Sequence, residues 1–309
     1  MWDEIEAALG GQAVRGEPMS RHTTLRAGGP ADLFAPIASA DALRDLVLLA
    51  RKLRAPYLVL GAGSNVLVSD AGFRGLVILN KARRVDFETV HAPAPRVQAE
   101  SGVILPSLAR ECIGRGLAGL EWAVGVPGTV GGAVVGNAGA HGGDIAQSLV
   151  SAKILDSDGN VRDWPAQELQ FAYRTSRLKL QAAHPESLLS RPVVLAAEFE
   201  LKQATRQELE AKAAELTEKR KRTQPPGASA GSMFKNPPGD YAGRLIEAAG
   251  LKGARVGEAE ISPVHANFIV NLGSASAADV YALICQAREK VAAQFGVTLE
   301  LEIQLVGEW

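Results

Sequence analysis

The stretch VGVPGTVGGAVVGNAGAHGG, residues 124–143, holds eight glycines, and its interpretation decides the fold. Glycine lets backbone approach a ligand closely because it carries no Cβ atom. A flexible linker is the simplest alternative, but linkers are rich in Ser, Lys and Glu, whereas valines alternate with the glycines here. The stretch is therefore predicted to be ordered backbone that lies flat against a large planar ligand, with donors from main-chain N–H groups, Thr129 and Asn137.

Composition places the chain among globular proteins that bind small molecules. It has 309 residues, of which 47% are hydrophobic and 22% charged, enough for a large core divided into two or three domains. The formal net charge of -1 provides no broad cationic field for a nucleic-acid backbone or an anionic membrane. We therefore expect neither a nucleic-acid nor a membrane partner.

The N-terminal segment and the two cysteines indicate a cytoplasmic location. The start MWDEIEAALGG is acidic and amphipathic, unlike a secretory signal, and no apolar run approaches the roughly twenty residues that span a bilayer. Cys112 and Cys285 match no metal-ligand or redox spacing. They are expected to be buried free thiols in a reducing compartment, and no metal site is expected.

Local patterns predict several elements. Residues 41–55 repeat apolar side chains at helical spacing, and PYLVLGAGSNVLVSD, residues 56–70, is typical of strand, glycine-rich turn and strand. Residues 152–164 predict a hairpin, since Asp158 and Gly159 supply turn residues between two alternating segments.

The residue pattern of the sequence changes at Thr205, and we expect a domain boundary there. Thr205 and Glu208 have the spacing of a capping box for the helix RQELEAKAAELTEKRKR. A second long helix is predicted over residues 276–295, with Ser276 and Asp279 as its cap. VTLELEIQLVG, residues 297–307, is predicted to close the chain as a strand.

The segment LGAGSN, residues 60–65, suits a phosphate because its glycines let successive N–H groups point into one concavity. A Rossmann loop is excluded on two grounds: Val66 stands where that fingerprint has its third glycine, and the next segment is strand-like. A plain turn is the alternative.

Six motifs in this order resemble the UDP-N-acetylenolpyruvoylglucosamine reductases: RHTTLRAGGPAD, LGAGSNVLVSD, GVPGTVGGAVVGNAGAHGG, AYRTSRLK, GSMFKNP and AGLKGARVGEAEISPVHANFIVN. The resemblance implies an α+β protein. It has an FAD-binding module of the vanillyl-alcohol-oxidase type over 1–204, in two α/β subdomains of about 1–80 and 81–204. A C-terminal α+β substrate domain over 205–309 follows, and it stays open whether its last strand packs back on the FAD module.

The resemblance also implies the activity. NADPH reduces non-covalently bound FAD, and the flavin reduces the enolpyruvyl ether of UDP-N-acetylglucosamine to UDP-N-acetylmuramate for peptidoglycan. NADPH and UDP-N-acetylglucosamine enolpyruvate are thus the expected partners, and they are expected to bind alternately. The oligomeric state is left open, with a monomer as one option.

Two segments are expected to bind FAD by resemblance, one mainly at the pyrophosphate and the other along the body of the cofactor. The predicted residues are Gly61, Ala62, Gly63, Ser64, Asn65, Gly125, Pro127, Gly128, Thr129, Gly131, Gly132, Asn137, Ala138 and Gly139.

Ser232 and Arg174 occupy the positions of two of the family's catalytic residues. Ser232 would protonate the substrate, and its neighbours must then match its pKa to that of a basic enolate; Ser229 is the nearby alternative. Arg174 would bind the substrate carboxylate through two parallel hydrogen bonds from its guanidinium group. Arg177, three residues on, is the alternative to Arg174.

Glu302 aligns with the family's C-terminal glutamate. It would orient the arginine or, when protonated, supply a hydrogen-bond donor. Glu300 is the alternative, since two residues along a predicted strand share a face. The residues expected to bind the diphosphate and sugar are Lys235, Asn236, Lys252 and His265.

Some features leave alternatives open. The basic cluster 219–222 would approach NADPH or UDP, or only favour a helix dipole. The short segment between the arginine and serine motifs predicts the subclass that lacks a tyrosine-bearing insertion. Two rival functions are a flavin oxidase of this fold class, with covalent FAD through a residue such as His141, and a non-catalytic nucleotide-binding protein.

Overall fold

The computed structural model describes residues 1–87, 94–182 and 188–309. Within these ranges no helix combines the length and apolarity needed to cross a membrane. The chain forms two compact units. Unit 1 comprises Met1–Arg15, Leu33–Gly61 and Gly75–Glu218. Unit 2 comprises Gly16–Asp32, Ala62–Arg74 and Lys219–Trp309. The division expected at Thr205 stays a prediction, and the compact units differ from it because two early segments group with the C-terminal part.

The α-helices of the described residues are α1 (Trp2–Ala8), α2 (Ala40–Lys52), α3 (Leu105–Gly114), α4 (Val130–Gly136), α5 (Arg177–Ala182), α6 (Arg206–Thr223), α7 (Ala242–Ala248) and α8 (Ala277–Phe295).

The strands are β1 (Val14–Pro18), β2 (Pro30–Ile37), β3 (Tyr57–Leu60), β4 (Val66–Val68), β5 (Phe73–Asn80), β6 (Val85–Asp86), β7 (Arg96–Glu100), β8 (Leu117–Ala118), β9 (Gly139–Ala140), β10 (Gly143–Asp144), β11 (Leu149–Leu155), β12 (Val161–Pro165), β13 (Val193–Glu200), β14 (Lys202–Gln203), β15 (Ala228–Ser232), β16 (Arg255–Val256), β17 (Ala259–Ile261), β18 (Phe268–Asn271) and β19 (Gln304–Val306).

Unit 1 is built on two sheets. One has the strand order β12-β11-β13-β7-β6, and in the other β2, β5 and β3 are neighbours in that order. The apolar face of α2 packs beside the latter, with Leu43 and Val47 fully buried. Each such side chain stabilises the fold by about 1.5–3 kcal/mol through removal of apolar surface from water.

The patterns in the first half of the chain predicted these elements correctly. The predicted helix over 41–55 is α2, which begins at the N-cap Ser39 and ends at Lys52. The predicted hairpin is the antiparallel pair β11–β12, and the predicted strand, turn and strand are β3, the loop 61–65 and β4.

Unit 2 consists of an antiparallel sheet, a parallel pair of strands and two helices. The sheet has the order β15-β18-β17-β16, and β19 pairs with β4. The long helix α8 has the predicted capping box between Ser276 and Asp279 and ends at Gly296, whose φ of 67° is the left-handed conformation that closes helices.

One prediction of local structure needs correction. The closing strand predicted over 297–307 is confined to Gln304–Val306. The preceding residues instead hydrogen-bond the loop after β15, where Lys235 N–H donates to the Glu300 carbonyl at 2.9 Å. The Thr205 hydroxyl donates to the Glu208 carboxylate at 2.5 Å, so the two residues of the predicted capping box are in contact.

Asp70, just after β4, fixes the start of α8. Its two carboxylate oxygens accept the N–H groups of Ala277 and Ala278 at 2.8 and 2.9 Å. The first N–H groups of a helix have no partner within the helix, and a negative charge there favours the helix dipole. This contact therefore joins the loop 62–74 to the main helix of unit 2.

We expect Asp70→Ala to lower the free energy of unfolding by about 1–2 kcal/mol, as for loss of a helix cap. Urea unfolding followed by circular dichroism measures it. Asp45→Ala, on the exposed side of α2, is the matched control and should change stability by less than about 0.5 kcal/mol. Equal effects of the two substitutions would contradict the role given to Asp70.

Candidate active site

The glycine-rich stretch of unit 1 contains a short helix, which the sequence did not predict. Thr129 caps the start of α4, where its hydroxyl accepts the Gly132 N–H at 3.5 Å. Asn137 ends the helix in the left-handed conformation, with φ of 44°. His141 and Gly142, with φ of 54° and 84°, form a two-residue turn between β9 and β10.

Packing explains some of the glycines. A Cβ at Gly61 would overlap the Thr129 hydroxyl, and one at Gly131 would lie 2.8 Å from the Ser101 Cβ. At Gly139 a Cβ would lie 2.7 Å from the Asp144 Cβ. These three positions therefore require glycine because protein atoms approach closely.

Packing does not explain Gly132 and Gly136. A Cβ at Gly132 would meet only the Thr129 hydroxyl, at 3.7 Å, and one at Gly136 would meet nothing within 4 Å. Glycine within a helix costs about 1 kcal/mol relative to alanine. The two residues are four apart and so share one face of α4, which presents bare backbone.

The other glycine-stretch residues of the FAD prediction lie beside this helix. Gly125, Pro127 and Gly128 precede α4, and the Gly128 carbonyl accepts the Leu105 N–H at 3.0 Å. Ala138 follows the helix, where its N–H donates to the Ala133 carbonyl at 2.9 Å.

The loop that carries Arg174 is held against the end of α4. The Asn137 Nδ2 donates to the Ala172 carbonyl at 3.1 Å, and the Ser176 hydroxyl donates to the Val135 carbonyl at 2.6 Å. Asn137 Oδ1 also accepts the Ala146 N–H at 3.1 Å. Both polar atoms of the Asn137 amide thus bond backbone groups. These contacts give Asn137 a structural role in addition to the predicted role in FAD binding.

Arg174 lies at the tip of a tight turn in this loop. Ala172 and Thr175 exchange two backbone hydrogen bonds of 3.1 Å each, and Arg174 has φ of 55°. One guanidinium nitrogen lies 3.2 Å from where a Cβ of Gly139 would be. The alternative Arg177 instead places its guanidinium over the Trp164 ring, 4.8 Å from the centroid.

In unit 2, Ser232 ends strand β15 just after a bulge. The register of β15 against β18 shifts between Ser229 and Ser232, and Gly231 within the shift has φ of 78°. Bulges redirect the side chain that follows them. The alternative Ser229 lies before the shift, where its carbonyl accepts the Thr24 hydroxyl at 2.7 Å.

The structure brings Glu302 next to the serine segment. The Glu302 N–H donates to the Met233 carbonyl at 2.9 Å, and the Glu302 carbonyl accepts the Asn65 amide at 3.1 Å. Glu300 and Glu302 lie before β19, on either side of a single antiparallel bridge between Leu301 and Phe234, and the prediction that they share a face stays a prediction. Glu300 is exposed and pairs with Lys235 at 3.1 Å.

The remaining predicted residues of the loop 60–65 lie at the start of the unit 2 segment 62–74. Ala62 and Ser64 are half-buried and Asn65 is exposed. A Cβ at Gly63, whose φ is 62°, would overlap the His22 carbonyl. The loop therefore needs glycine there for packing and for conformation.

The predicted substrate residues surround the start of α7. Asn236 Oδ1 accepts the Ala242 N–H at 3.1 Å, and Lys252 pairs with Glu247 at 2.7 Å. His265 lies against Gly243, where a Cβ would be 2.9 Å from the imidazole Cε1. These contacts place Lys235, Asn236, Lys252 and His265 in one unit.

His265 is held neutral. Its Nδ1 accepts the Asn267 N–H at 3.2 Å, so in the neutral ring the proton lies on Nε2. Burial lowers the pKa of His265, since the imidazolium ion loses hydration. His265 can therefore offer an Nε2–H donor to a ligand.

The cysteines are free, as expected. Cys112 is buried and Cys285 half-buried. Burial raises the pKa of the Cys112 thiol to about 12, which excludes a thiolate nucleophile near neutral pH. Among the described residues no group of His, Cys, Asp and Glu could hold a metal ion.

Sequence reasoning missed Asn267. Its side chain hydrogen-bonds both backbone groups of Phe234, two residues after Ser232. The only sequence signal is a polar residue at the head of an apolar strand, and this signal does not name the partner.

Comparisons with known proteins agree over most of the chain. Residues 31–164 match the FAD binding domain, and residues 222–306 match the UDP-N-acetylenolpyruvoylglucosamine reductase, C-terminal domain. The reductase of Chloroflexus aggregans is 47% identical, over 94% of this chain and 96% of its own length. That of Moorella thermoacetica is 44% identical, over 99% and 97%.

A solved structure also matches. The crystal structure of UDP-N-acetylenolpyruvylglucosamine reductase from Thermus caldophilus has a TM-score of 0.78 and 37% identity, and the match covers 96% of this chain and 98% of that chain. The predicted fold class, an FAD-binding module with a C-terminal α+β domain, is confirmed by these matches.

An FAD-binding domain that carries a glycine-lined helix defines the chain as a flavin-dependent oxidoreductase. Its relatives specify it further. The chain belongs to the family of UDP-N-acetylenolpyruvoylglucosamine reductases. The shorter subclass stays a prediction, and residues 183–187, within the segment that would carry an insertion, lie outside the described residues.

The residues of unit 1 fit a flavin. Gly132 and Gly136 give α4 a face that holds no side chain and that internal packing does not require. A planar ring system needs such close backbone approach, and the neighbouring Val130 and Val134 are fully buried beneath. Gly132 is among the residues predicted to bind FAD and Gly136 is not, and binding of FAD at this face stays a prediction.

The lowered pKa of His265 predicts a pH-dependent stability. Between the folded pKa and the ordinary value of about 6.5, the unfolded chain binds more protons, so stability falls as pH decreases through this window and is full above it. We expect His265→Asn to flatten the decrease in unfolding free energy between about pH 7.5 and 5.

Denaturant unfolding at several pH values measures this change. Asparagine retains an acceptor for the Asn267 N–H, so the fold should persist. A His265→Asn curve as steep as that of the wild type would contradict the assignment.

Proposed function

We propose that the protein reduces the enolpyruvyl ether of UDP-N-acetylglucosamine enolpyruvate to UDP-N-acetylmuramate, with NADPH as the electron source. The observation that carries this proposal is the pairing of the serine and glutamate segments in unit 2, where the Glu302 N–H donates to the Met233 carbonyl at 2.9 Å. The names of the relatives support the substrate. A binding protein without catalysis has no need for a proton donor, which is the role proposed for Ser232.

FAD, when bound, accepts hydride from NADPH and supplies it to the terminal carbon of the enolpyruvyl group. Unit 1 residues that would hold it are those of the bare α4 face, Gly132 and Gly136, and the loop before the helix. Thr129 caps the helix, and Asn137 fixes its end. NADPH and substrate are proposed to bind alternately.

Arg174 is proposed to hold the substrate carboxylate, on which negative charge develops during hydride addition. A guanidinium suits this task because it donates two parallel hydrogen bonds and stays charged. The tight turn fixes its backbone, and Asn137 and Ser176 fix the loop on α4. Both arginines lie over an aromatic ring, Arg174 over Tyr173 and Arg177 over Trp164, so stacking does not distinguish them. The guanidinium of Arg174 beside Gly139 is what favours Arg174.

Ser232 is proposed to donate the proton to the carbon adjacent to the carboxylate. Because a serine hydroxyl is a weak acid, the donor must be placed accurately and the acceptor must be strongly basic. The bulge at Gly231 directs Ser232 away from the register that Ser229 follows. Glu302 is proposed to orient the polar groups around this hydroxyl.

Lys235, Asn236, Lys252 and His265 are proposed to bind the diphosphate and sugar. Lys235 and Lys252 already pair with Glu300 and Glu247, so a diphosphate would replace or extend these partly exposed ion pairs. The neutral His265 adds a donor without a second positive charge. Residues 219–222 of unit 2, at the end of α6, would bring further cations to either nucleotide.

We further propose that the protein works in the cytoplasm. The free thiols of Cys112 and Cys285 support a reducing compartment, where cysteines stay unpaired. The product is a precursor of peptidoglycan, so loss of the enzyme should impair cell-wall formation, cell shape, division and the cell cycle.

The glycine face predicts a separation of folding from cofactor binding. Gly132→Ala should leave the stability of the flavin-free protein equal or up to about 1 kcal/mol higher, since alanine favours helix and meets no close atom. It should weaken FAD binding at least about tenfold, or 1.4 kcal/mol. Thermal unfolding and flavin fluorescence titration measure the two effects.

Gly131→Ala is the matched control. Its Cβ would lie 2.8 Å from that of Ser101, so this variant should lose stability. If Gly132→Ala bound FAD as tightly as the wild type, the bare face of α4 would not be the cofactor surface.

Anaerobic half-reactions test the proposed function. The yellow protein is reduced with NADPH, and UDP-N-acetylglucosamine enolpyruvate is then added while flavin absorbance is followed near about 450 nm. The wild type should reoxidise without oxygen. In Ser232→Ala the flavin should still be reduced by NADPH, but its reoxidation by substrate should be at least about 100-fold slower. This is the lower end of the contribution of a general acid, which is about 100- to 10,000-fold.

The same experiment distinguishes the rivals. Colour that returns only in air would favour a flavin oxidase, especially if acid-denatured protein stayed yellow through a covalent link. Ser229→Ala is the matched control and should reoxidise at the wild-type rate. Unchanged reoxidation by Ser232→Ala would remove this serine from the mechanism.

A further inference from the structure

Two buried asparagines lie on the strand β18 segment of unit 2. The exposed fractions of Asn267 and Asn271 are 3% and 6%. A buried amide must be hydrogen-bonded, since its transfer from water otherwise costs free energy. The partners of these two side chains therefore reveal what each amide does.

Asn267 bonds both polar groups of one peptide residue. Its Oδ1 accepts the Phe234 N–H at 3.0 Å, and its Nδ2 donates to the Phe234 carbonyl at 2.8 Å. Its own backbone carbonyl accepts the Met233 N–H at 2.8 Å. Residues 233 and 234, directly after Ser232, are thus held through three hydrogen bonds to one asparagine.

The hydrogen bonds of Asn267 lie just beyond the end of the pairing between β15 and β18. Ser232 is opposite Phe268 in the last registered pair of β15 and β18. Beyond it, the asparagine side chain bonds Phe234 on the β18 side, whereas on the opposite side Phe234, which is 1% exposed, forms an antiparallel bridge with Leu301. On the other side of Ser232, Gly231 has φ of 78°, and a Cβ added there would meet no atom within 4 Å. The serine is therefore anchored from its C-terminal side.

We propose that Asn267 is the positioning residue for the Ser232 hydroxyl. The inference rests on the proposed function, since it assumes that Ser232 delivers the proton. Fixing the Phe234 peptide limits how far residue 232 can rotate or shift. A displacement of about 1 Å at a reacting group can lower a rate about 100-fold, so the amide contributes to proton transfer without contact with substrate.

Asn267→Asp tests this role with little change in volume. A carboxylate still accepts the Phe234 N–H, but it opposes the Phe234 carbonyl that the amide bonded. Asn271→Asp is the matched control on the same strand, because its Nδ2 donates to the Leu25 carbonyl at 3.0 Å while its Oδ1 accepts the N–H groups of Gly273 and Ala275. Each variant loses one buried amide donor.

The readouts are the two anaerobic half-reactions, the solvent deuterium isotope effect on reoxidation, and hydrogen exchange of the Phe234 amide. For Asn267→Asp we expect flavin reduction by NADPH within about twofold of wild type, and reoxidation by substrate about 10–100-fold slower with a larger isotope effect. Exchange at Phe234 should accelerate. Asn271→Asp should alter neither half-reaction beyond any general loss of stability, which thermal unfolding measures for both.

The outcomes separate this inference from the proposed function. If Ser232→Ala reoxidised normally, the proposed role of the serine would fail. If Ser232→Ala were inactive in reoxidation while Asn267→Asp matched wild type or Asn271→Asp, only the inference would be overturned. If Asn267→Asp fails to fold, Asn267→Ser replaces it, since its hydroxyl keeps a shorter hydrogen-bonding group at this position. For the inference to stand, the reoxidation rate of Asn267→Ser must lie between those of the wild type and Ser232→Ala, and its flavin reduction by NADPH must be unchanged.

Discussion

Buried loop backbone must find hydrogen-bond partners, and this constraint organises unit 2. Where its strands end, side chains supply the missing partners: Asn267 bonds Phe234, Asp70 bonds the start of α8, and Asn271 bonds the Leu25 carbonyl. Each of these bonds joins segments far apart in sequence. An unpaired buried donor or acceptor costs about 1–3 kcal/mol, so these few side chains fix loops that no regular ladder reaches.

The same constraint places the arginine loop in unit 1. Asn137 ends α4 and donates to the Ala172 carbonyl, and Ser176 donates to the Val135 carbonyl. The glycine-rich stretch therefore has two functions that its composition does not distinguish. Some glycines allow close packing of protein on protein, as Gly131 does against Ser101, whereas Gly132 and Gly136 leave backbone bare.

Periodic patterns and local signals predicted much of the fold. The α2 and α8 helices and the β11–β12 hairpin follow from apolar spacing, caps and turn residues that lie within a few positions of each other. The closing strand was predicted too long because its alternation is the same whether the partner is a strand or a loop. Asn267 could not be found, since its partner lies 33 residues away and leaves no local pattern.

Backbone strain alone does not distinguish Arg174 from other residues with positive φ, and its proposed role rests on its setting. Positive φ also occurs at Gln170 and Asn137, each of which ends a helix, and at Arg54, just after α2. It occurs as well at His141 in a two-residue turn and at Arg26, which like Arg174 ends no helix. Such conformations at non-glycine residues cost about 1–3 kcal/mol and persist where the surroundings impose them. Arg174 ends no helix; its turn is imposed by the Asn137 and Ser176 bonds and brings the guanidinium beside Gly139. The chain thus maintains an unfavourable conformation where it places a cation beside the glycine-rich stretch, and this placement is the structural support for the proposed role of Arg174.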